Sequence, residues 1–296
     1  MNILPREKQV EAIAALCEGV SVRATERLTG VNRGTILSLG VRVGDGCAKL
    51  HDAMMRGLNV GRVELDEAWS FIHTKQRHLK PTDPDDYGDQ YVFLALAGAA
   101  KAIVSWRVGK RNGDNCRAFL ADLRSRVLGA PELSSDAFSA YPDAVERAFG
   151  IDCAYGTIEK HYAAPEETVE AARRYSPTAV VAVMRRPIIG NPSKLSTSYI
   201  ERQNLTLRMQ QRRFTRLTNA FSKKLENHWA AVALYVAHYN LCRVHETLRV
   251  TPAMQLDVTD HIWTIGELVD AALDGVLPGP GGRPYGRFRV IDGGRR

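Results

Sequence analysis

The chain has 296 residues, of which 45% are hydrophobic and 25% are charged, and its formal net charge is +7. This length is enough to bury a large core, in about two domains or in one large domain with appendages. A basic balance favours an anionic partner, with nucleic acid as the first candidate.

The cysteines and the apolar runs exclude several classes of protein. The five cysteines are dispersed and form no C-x-x-C pair, which argues against a structural zinc site and a disulfide framework. The first residues, MNILPREKQ, lack the apolar core of a signal peptide. The apolar run 229–237 is far shorter than the roughly 20 residues of a membrane span. We therefore expect a cytoplasmic protein with no membrane partner.

Residues 1–58 have the pattern of a helical DNA-binding region. Gly19 ends a first helix, Ser21 can cap a short second helix, and Asn32 can cap a third one after a glycine turn. This order is typical of a helix-turn-helix, in which the third helix reads DNA. Arg33 and Thr35 then lie at the start of the recognition helix as candidate DNA contacts.

Three glycines at positions 40, 44 and 46 are expected to disturb this third helix, because glycine is a poor helix former. The alternative interpretation of the N-terminal region is a small helical cap that binds nothing.

Residues 59–250 combine strands with helices. The segments read in order as a strand (NVGRVELDEAWSFI), a β-hairpin (YVFLALAG and AIVSWRVG), a helix, a short strand (in PELSSDAFSAYP), a helix and a strand (IDCAYG). This order predicts a mixed α/β sheet flanked by helices. Residues 157–198 contain four prolines and read as an insertion, with a helix near EETVEAARRY and an extended piece at AVVAVM.

From Thr197 the chain becomes helical again. Ile200, Leu207 and Phe214 form an apolar stripe on a first helix, and a second helix has a stripe from Phe221 to Tyr239 that we interpret as core. Residues 251–296 are expected to form a C-terminal helix and a flexible basic tail, because the tail is rich in glycine, proline and arginine.

Three acids stand out by their positions. Asp66 and Asp136 each end an apolar strand run, and Glu201 lies on the polar face near the start of a helix. Neighbouring strands bring their end residues together, and a helix at the sheet edge can add a third. A set of carboxylates without thiols suits Mg²⁺ or Mn²⁺, and two such ions can activate one oxygen and stabilise another at a phosphorus.

Other acids compete with these three. Glu64 and Glu67 flank Asp66, Asp143 lies near Asp136, and any single acid at a strand end is more often a turn or cap residue.

Glu201 lies in a strongly basic segment, which favours contact with a phosphate backbone. Residues 185–224 contain ten basic residues and one acid. Asn204 and four arginines around Glu201 are the candidate phosphate contacts: Arg202, Arg208, Arg212 and Arg213. A basic helix face that is merely solvated is the alternative.

These segments together resemble a known family. VELDEAWSFI, SSDAFSAYPDAV, STSYIERQNLTLRMQQRRF and HYNLCRVHETLRVTPA are similar to bacterial insertion-sequence transposases, above all to the insertion-sequence-one family. YIERQNLTLR is the most specific of them. The resemblance implies a ribonuclease-H-like fold and an acidic triad, Asp66, Asp136 and Glu201, that binds two Mg²⁺ ions, with Mn²⁺ as a substitute.

The sequence departs from the shorter family members in two ways. Asp136 and Glu201 are 65 positions apart, which is a longer separation, and the N-terminal cysteine module of some members is absent. His245 resembles a histidine near the end of several transposases and integrases, where it would orient a phosphate or a water. A helix C-terminal histidine satisfied by a carbonyl explains it equally well.

The sequence therefore predicts a bacterial DNA transposase that cleaves a strand and joins the freed 3′-hydroxyl to target DNA. The partners would be double-stranded element ends and target DNA, and the active form would be a nucleoid-associated homodimer or larger assembly. A helix-turn-helix transcription regulator, a ribonuclease-H-like nuclease without strand transfer, and an inactive copy are the alternatives.

Overall fold

The N-terminal region is helical, as predicted. The computed structural model describes residues 4–162, 180–215 and 219–274. Three helices come first, and their bounds are α1 (Arg6–Cys17), α2 (Val22–Thr29) and α3 (Arg33–Met54). The Ser21 hydroxyl accepts the N–H of Ala24 at 3.2 Å and the Asn32 side chain accepts the N–H of Gly34 at 2.8 Å, so both predicted caps are present.

The expectation that glycines disturb α3 was wrong, because the helix runs unbroken for 22 residues. Two of its glycines are sites of close helix packing. A Cβ at Gly44 would lie 2.5 Å from the carbonyl oxygen of Ala230, and one at Gly46 would lie 2.0 Å from that of Ala272. Tertiary contact therefore offsets the weak helix propensity of glycine.

A six-stranded mixed sheet forms the centre of the molecule. Its strands are β2 (Arg62–Ile72), β3 (Gly88–Ala97), β4 (Ala102–Gly109), β6 (Glu132–Ser135), β7 (Ala154–Tyr162) and β8 (Val180–Ile189). They lie in the order β4-β3-β2-β6-β7-β8. Strand β3 is antiparallel to β2 and β4, β6 is parallel to β2 and β7, and β8 is antiparallel to β7. A separate parallel pair, β1 (Leu58–Asn59) and β5 (Val127–Leu128), lies outside this sheet.

The remaining helices flank the sheet. They are α4 (Gly113–Arg126), α5 (Tyr141–Phe149), α6 (Ser198–Gln210), α7 (Leu225–Ala237), α8 (Pro252–Gln255) and α9 (Ile265–Asp274). Helix α7 continues as a π-helical turn, His238–Cys242. The architecture confirms the predicted fold class, a mixed α/β ribonuclease-H-like sheet flanked by helices and preceded by a helical region.

Packing joins the N-terminal helices to the rest of the chain. Ile36, Leu39 and Leu50 of α3 share one buried cluster with Leu234 of α7 and Leu268 of α9. Helices from all three predicted regions, 1–58, 59–250 and 251–296, thus contribute to one hydrophobic core. The division of the chain into these regions stays a prediction.

Most elements predicted within the described residues are present, including the hairpin β3–β4 and, from Val180 onwards, the extended piece at AVVAVM. The helix predicted near EETVEAARRY and the tail beyond residue 274 lie outside the described residues. The second apolar stripe is core over its later part, with Val232, Val236 and Tyr239 buried, whereas Phe221 precedes α7.

Candidate active site

Parallel strand pairing brings Asp66 and Asp136 together. Leu65 of β2 is the register partner of Ser135, the last residue of β6, so the next residue of each strand segment is one of the two acids. Asp66 ends the apolar run but lies inside β2, which continues to Ile72 as the predicted strand NVGRVELDEAWSFI does. It is β6 that ends, and Asp136 then accepts the backbone N–H of Phe138 at 3.0 Å.

Glu67 is the third acid of this group. One carboxylate oxygen from each of Asp66, Glu67 and Asp136 lies within 4.8 Å of the others. The Glu67 side chain is 3% exposed. Its buried Oε1 has no hydrogen-bond partner within the described part of the chain. The sequence marked Glu67 only as a competitor of Asp66.

Glu201 lines the same cleft as Asp66 and Asp136 but stands outside that close group of oxygens. The cleft has a volume of about 770 Å³. Glu201 accepts a hydrogen bond from the Thr197 hydroxyl at 2.7 Å and forms an ion pair with Lys160 of β7. The structure thus brings together two acids of the predicted triad with Glu67, and it places the third in the same cleft with a basic partner.

Two side chains hold the helix that carries Glu201 against the strand that carries Asp66. Helix α6 has no side-chain cap from its own N-cap residue. Instead, the buried Glu64 of β2 accepts the N–H groups of Tyr199 and Ile200 at 2.8 and 3.0 Å. Asn204 donates to Asp66 Oδ2 at 2.8 Å. Glu64 therefore acts as a cap supplied from the sheet, and it satisfies N–H groups that a helix start otherwise leaves unpaired.

Burial and mutual repulsion disfavour the charged forms of the clustered acids. Burial raises the pKa of Asp66 to about 6, and the charges of Asp136 and Glu201 add to the rise. Burial also raises the pKa of Glu67 to about 7, and Asp136 again adds to it. The Tyr141 hydroxyl opposes this rise, although its geometry with Glu67 falls short of a hydrogen bond. Such a site gains most from a bound cation.

Two basic side chains line the cleft that sequence analysis did not identify as candidate site residues. The Arg111 guanidinium lies 3.3 Å from Glu67 and 3.2 Å from Asp136, and its carbon lies 4.0 Å from the centre of the Phe138 ring. Lys160 is the second. Arg111 follows β4 and Lys160 lies within β7, so no local pattern indicated that they would meet the acids.

The candidate recognition residues lie on the surface. Arg33 and Thr35 are exposed in the first turn of α3, while Ile36 and Leu39 of the same helix are buried. Arg202 and Arg212 are exposed, and Arg208 is half-buried.

Two of the other candidate DNA contacts have partners inside the protein. Asn204 is 4% exposed and bonds Asp66. Arg213 donates to Ser222 at 2.8 Å, and burial lowers its pKa. Asn204 therefore supports Asp66, and Arg213 bonds a residue outside its own helical turn. Their contacts with DNA stay a prediction.

His245 lies in a turn and does not line the carboxylate cleft. Its Nδ1 is 3.1 Å from the Thr247 hydroxyl, and its carbonyl accepts the N–H of Leu248 at 3.1 Å. Burial, Lys101 and Arg243 lower its pKa. Its accessory role stays a prediction.

The described helices include none with the length and apolarity to cross a bilayer.

Comparison with known proteins extends the family resemblance. No family model matches the chain. The insertion element iso-IS1n protein InsB of Shigella dysenteriae is 24% identical over 173 residues, which span 58% of this chain and 92% of that protein. The chain is similar to transposases of the IS1 type. The similarity confirms the resemblance that the motifs carry.

A cryo-EM structure of the piggyBac transposase synaptic complex with hairpin DNA also aligns with the chain. It covers 92% of this chain and 72% of that one, at 9% identity and a TM-score of 0.39. A TM-score this low does not establish a shared fold, so the fold assignment depends on the strand order.

Proposed function

We propose that this chain is a DNA transposase whose carboxylate cleft cleaves a DNA strand and joins the freed 3′-hydroxyl to target DNA. The observation that carries the proposal is the register of β2 with β6, which sets Asp66 beside Asp136 in a cleft that Glu201 also lines. The similarity to an IS1-type insertion-element protein supports it.

The acids fit a pair of divalent cations. The close group contains carboxylates alone, the donors that hard cations prefer. The raised pKa values of Asp66 and Glu67 and the unpartnered Glu67 Oε1 point to missing positive charge. Asp66, Asp136 and Glu201 would hold Mg²⁺, or Mn²⁺ in its place, and Glu67 is a further candidate ligand. The ions would supply activation of the attacking oxygen and stabilisation of the leaving oxygen at one phosphorus.

The chain itself would position the DNA. The start of α3, where Arg33 and Thr35 are exposed, would enter a major groove and bring these two residues towards the base edges. Arg202, Arg208 and Arg212 follow Glu201 along the chain and would contact phosphates, which sets position but reads no sequence. Two element ends would be brought together by a homodimer or larger assembly on DNA, with one cleft for each end.

The test is a strand-cleavage and joining assay in Mg²⁺ on DNA that carries the element's own ends. Asp66→Asn keeps the shape of the side chain but removes its charge. We expect unchanged DNA binding and a fall in cleavage of more than about 1,000-fold, because metal stabilisation of a transition state is worth several kcal/mol.

Asp143→Asn is the matched control, since Asp143 is an exposed acid on α5 that pairs with Arg147 at 2.8 Å. It should cleave as well as the wild type. Joining by the Asp66→Asn protein would remove Asp66 from the site. Cleavage by the wild type without covalent donor–target products would show a nuclease, because only a transposase joins the ends.

A further inference from the structure

Each end of the acidic cleft carries a basic side chain of the protein that pairs with some of its acids. Arg111 bridges Glu67 and Asp136, and Lys160 pairs with Glu201. We propose that Arg111 and Lys160 are substrate-binding residues, which leave these carboxylates and bind the phosphodiester in the cleft once the acids hold metal. The inference deepens the proposed function and rests on it.

Arg111 is held in the cleft by more than its ion pairs. Its guanidinium lies 4.0 Å from the centre of the Phe138 ring, and Phe138 follows Asp136 by two residues. A cation over an aromatic face is stabilised without any carboxylate. When metal takes the acids, Arg111 can therefore leave the carboxylates and remain in the cleft over the Phe138 ring, with its N–H groups free for another partner. A guanidinium offers the planar, two-pronged donor geometry that suits a phosphate.

Lys160 is placed by the sheet. It lies in β7 opposite Val183 of β8, so its backbone is held by strand pairing. Its side chain is 28% exposed and lines the cleft together with Glu201, Asp66 and Asp136. An ammonium on a long flexible stem can move from a carboxylate to a nearby phosphate oxygen without movement of the strand.

Charge balance explains why the partners would change. Without metal, Arg111 and Lys160 are the cations that contact the acids of the cleft within the described chain. A dication on the same oxygens offsets the acids more strongly and repels a nearby guanidinium or ammonium. The phosphodiester then supplies the anion that the two basic side chains have lost. Metal and basic side chains thus compete in the free protein and cooperate in the DNA complex.

If the basic side chains exchange partners in this way, removing one should strengthen metal binding and weaken DNA cleavage. In the free full-length protein, Mn²⁺ binding measured by calorimetry should tighten by about tenfold in Arg111→Ala and in Lys160→Met, because a competing cation is gone. With saturating Mg²⁺ and DNA, cleavage by the same variants should fall by about 100-fold, since a donor to the phosphate is lost. A residue with a purely structural role would not tighten metal binding.

Two further variants sharpen the test. Arg111→Lys retains the charge, so its Mn²⁺ affinity should stay near that of the wild type and its cleavage should exceed that of Arg111→Ala. Arg117→Ala removes an arginine of α4 that pairs with Asp114 at 2.6 Å, and neither measurement should change. Thermal unfolding of each variant establishes that it is folded.

The outcomes separate the inference from the proposed function. A wild type that binds no Mn²⁺ overturns both. A wild type that binds Mn²⁺, with Arg111→Ala and Lys160→Met that bind it no more tightly or cleave DNA normally, overturns the inference and leaves the proposed function standing.

Discussion

The acids of the cleft are held in two different ways. Asp66 and Asp136 lie side by side because β2 and β6 pair in parallel, so backbone hydrogen bonds set their separation. Glu201 is carried by α6, whose apolar residues Ile200 and Leu207 pack on the sheet. Its distance from the strand acids depends on how that helix docks.

The comparison shows where the site is robust and where it is sensitive. Strand register is set by many backbone groups and tolerates the loss of a side chain. The docking of α6 combines the packing of its apolar face with two polar contacts, Glu64 with the helix start and Asn204 with Asp66. We therefore expect the helix side of the cleft to respond to substitutions that the strand side would tolerate.

Loss of the sheet-supplied cap should disturb the helix side of the cleft most. Glu64→Ala leaves the N–H groups of Tyr199 and Ile200 without their acceptor, so the start of α6 should loosen and move Glu201. We expect strand cleavage to fall by about 10- to 100-fold, as for other groups that orient metal ligands. Glu64→Gln keeps an acceptor oxygen and should recover most of the activity.

Glu132→Ala is the matched control for this change. Glu132 also lies on a strand and accepts a backbone N–H, that of Ser193 at 3.0 Å, but outside α6. Equal losses of cleavage in the Glu64 and Glu132 variants would contradict the special role of the helix start.

On the strand side, the charge of Glu67 should affect the free energy of unfolding. Burial raises the pKa of Glu67 to about 7, so its protonated form is favoured by folding and its ionised form is disfavoured. The metal-free protein should lose stability as the pH rises from about 5 to about 8. Near pH 8, Glu67→Gln should be more stable than the wild type by about 1–3 kcal/mol, with little difference near pH 5.

Denaturant unfolding at both pH values measures this effect. Saturating Mg²⁺ should stabilise the wild type near pH 8, because a ligand that binds the folded state shifts the equilibrium towards it. A variant that is less stable than the wild type at high pH would show that the ion pair with Arg111 outweighs the cost of burying the Glu67 charge.

The smallest effect is expected at Thr197. Thr197→Val keeps the shape and removes the hydroxyl that donates to Glu201 at 2.7 Å, while Lys160 still pairs with that acid. Cleavage should fall by up to about tenfold. Thr206→Val is the control, since that hydroxyl donates to the Arg202 carbonyl on the same helix. A loss as large in Thr206→Val would mean that helix stability, and not Glu201, is affected.

Much of the site could be anticipated from local pattern. An acid after an apolar strand run, next to a second strand that also ends in an acid, predicts that Asp66 lies near Asp136. Glu67 was harder to recognise, because successive residues of a strand project to opposite faces and its proximity to Asp136 depends on the path of the chain after β6. Asn204 reads as a solvent-facing amide in a basic segment, but the docked helix directs it at Asp66.

The sequence by itself determined the order of strands and helices, the caps of α2 and α3 and the strand positions of two acids, because these follow from periodicity and from residues only a few positions apart. Tertiary structure alone decided that Glu67 joins the acids, that Arg111 and Lys160 neutralise them, and that Gly44 and Gly46 lie against neighbouring helices. Each of these depends on segments distant in the chain, whose meeting is set by the packing of the whole fold.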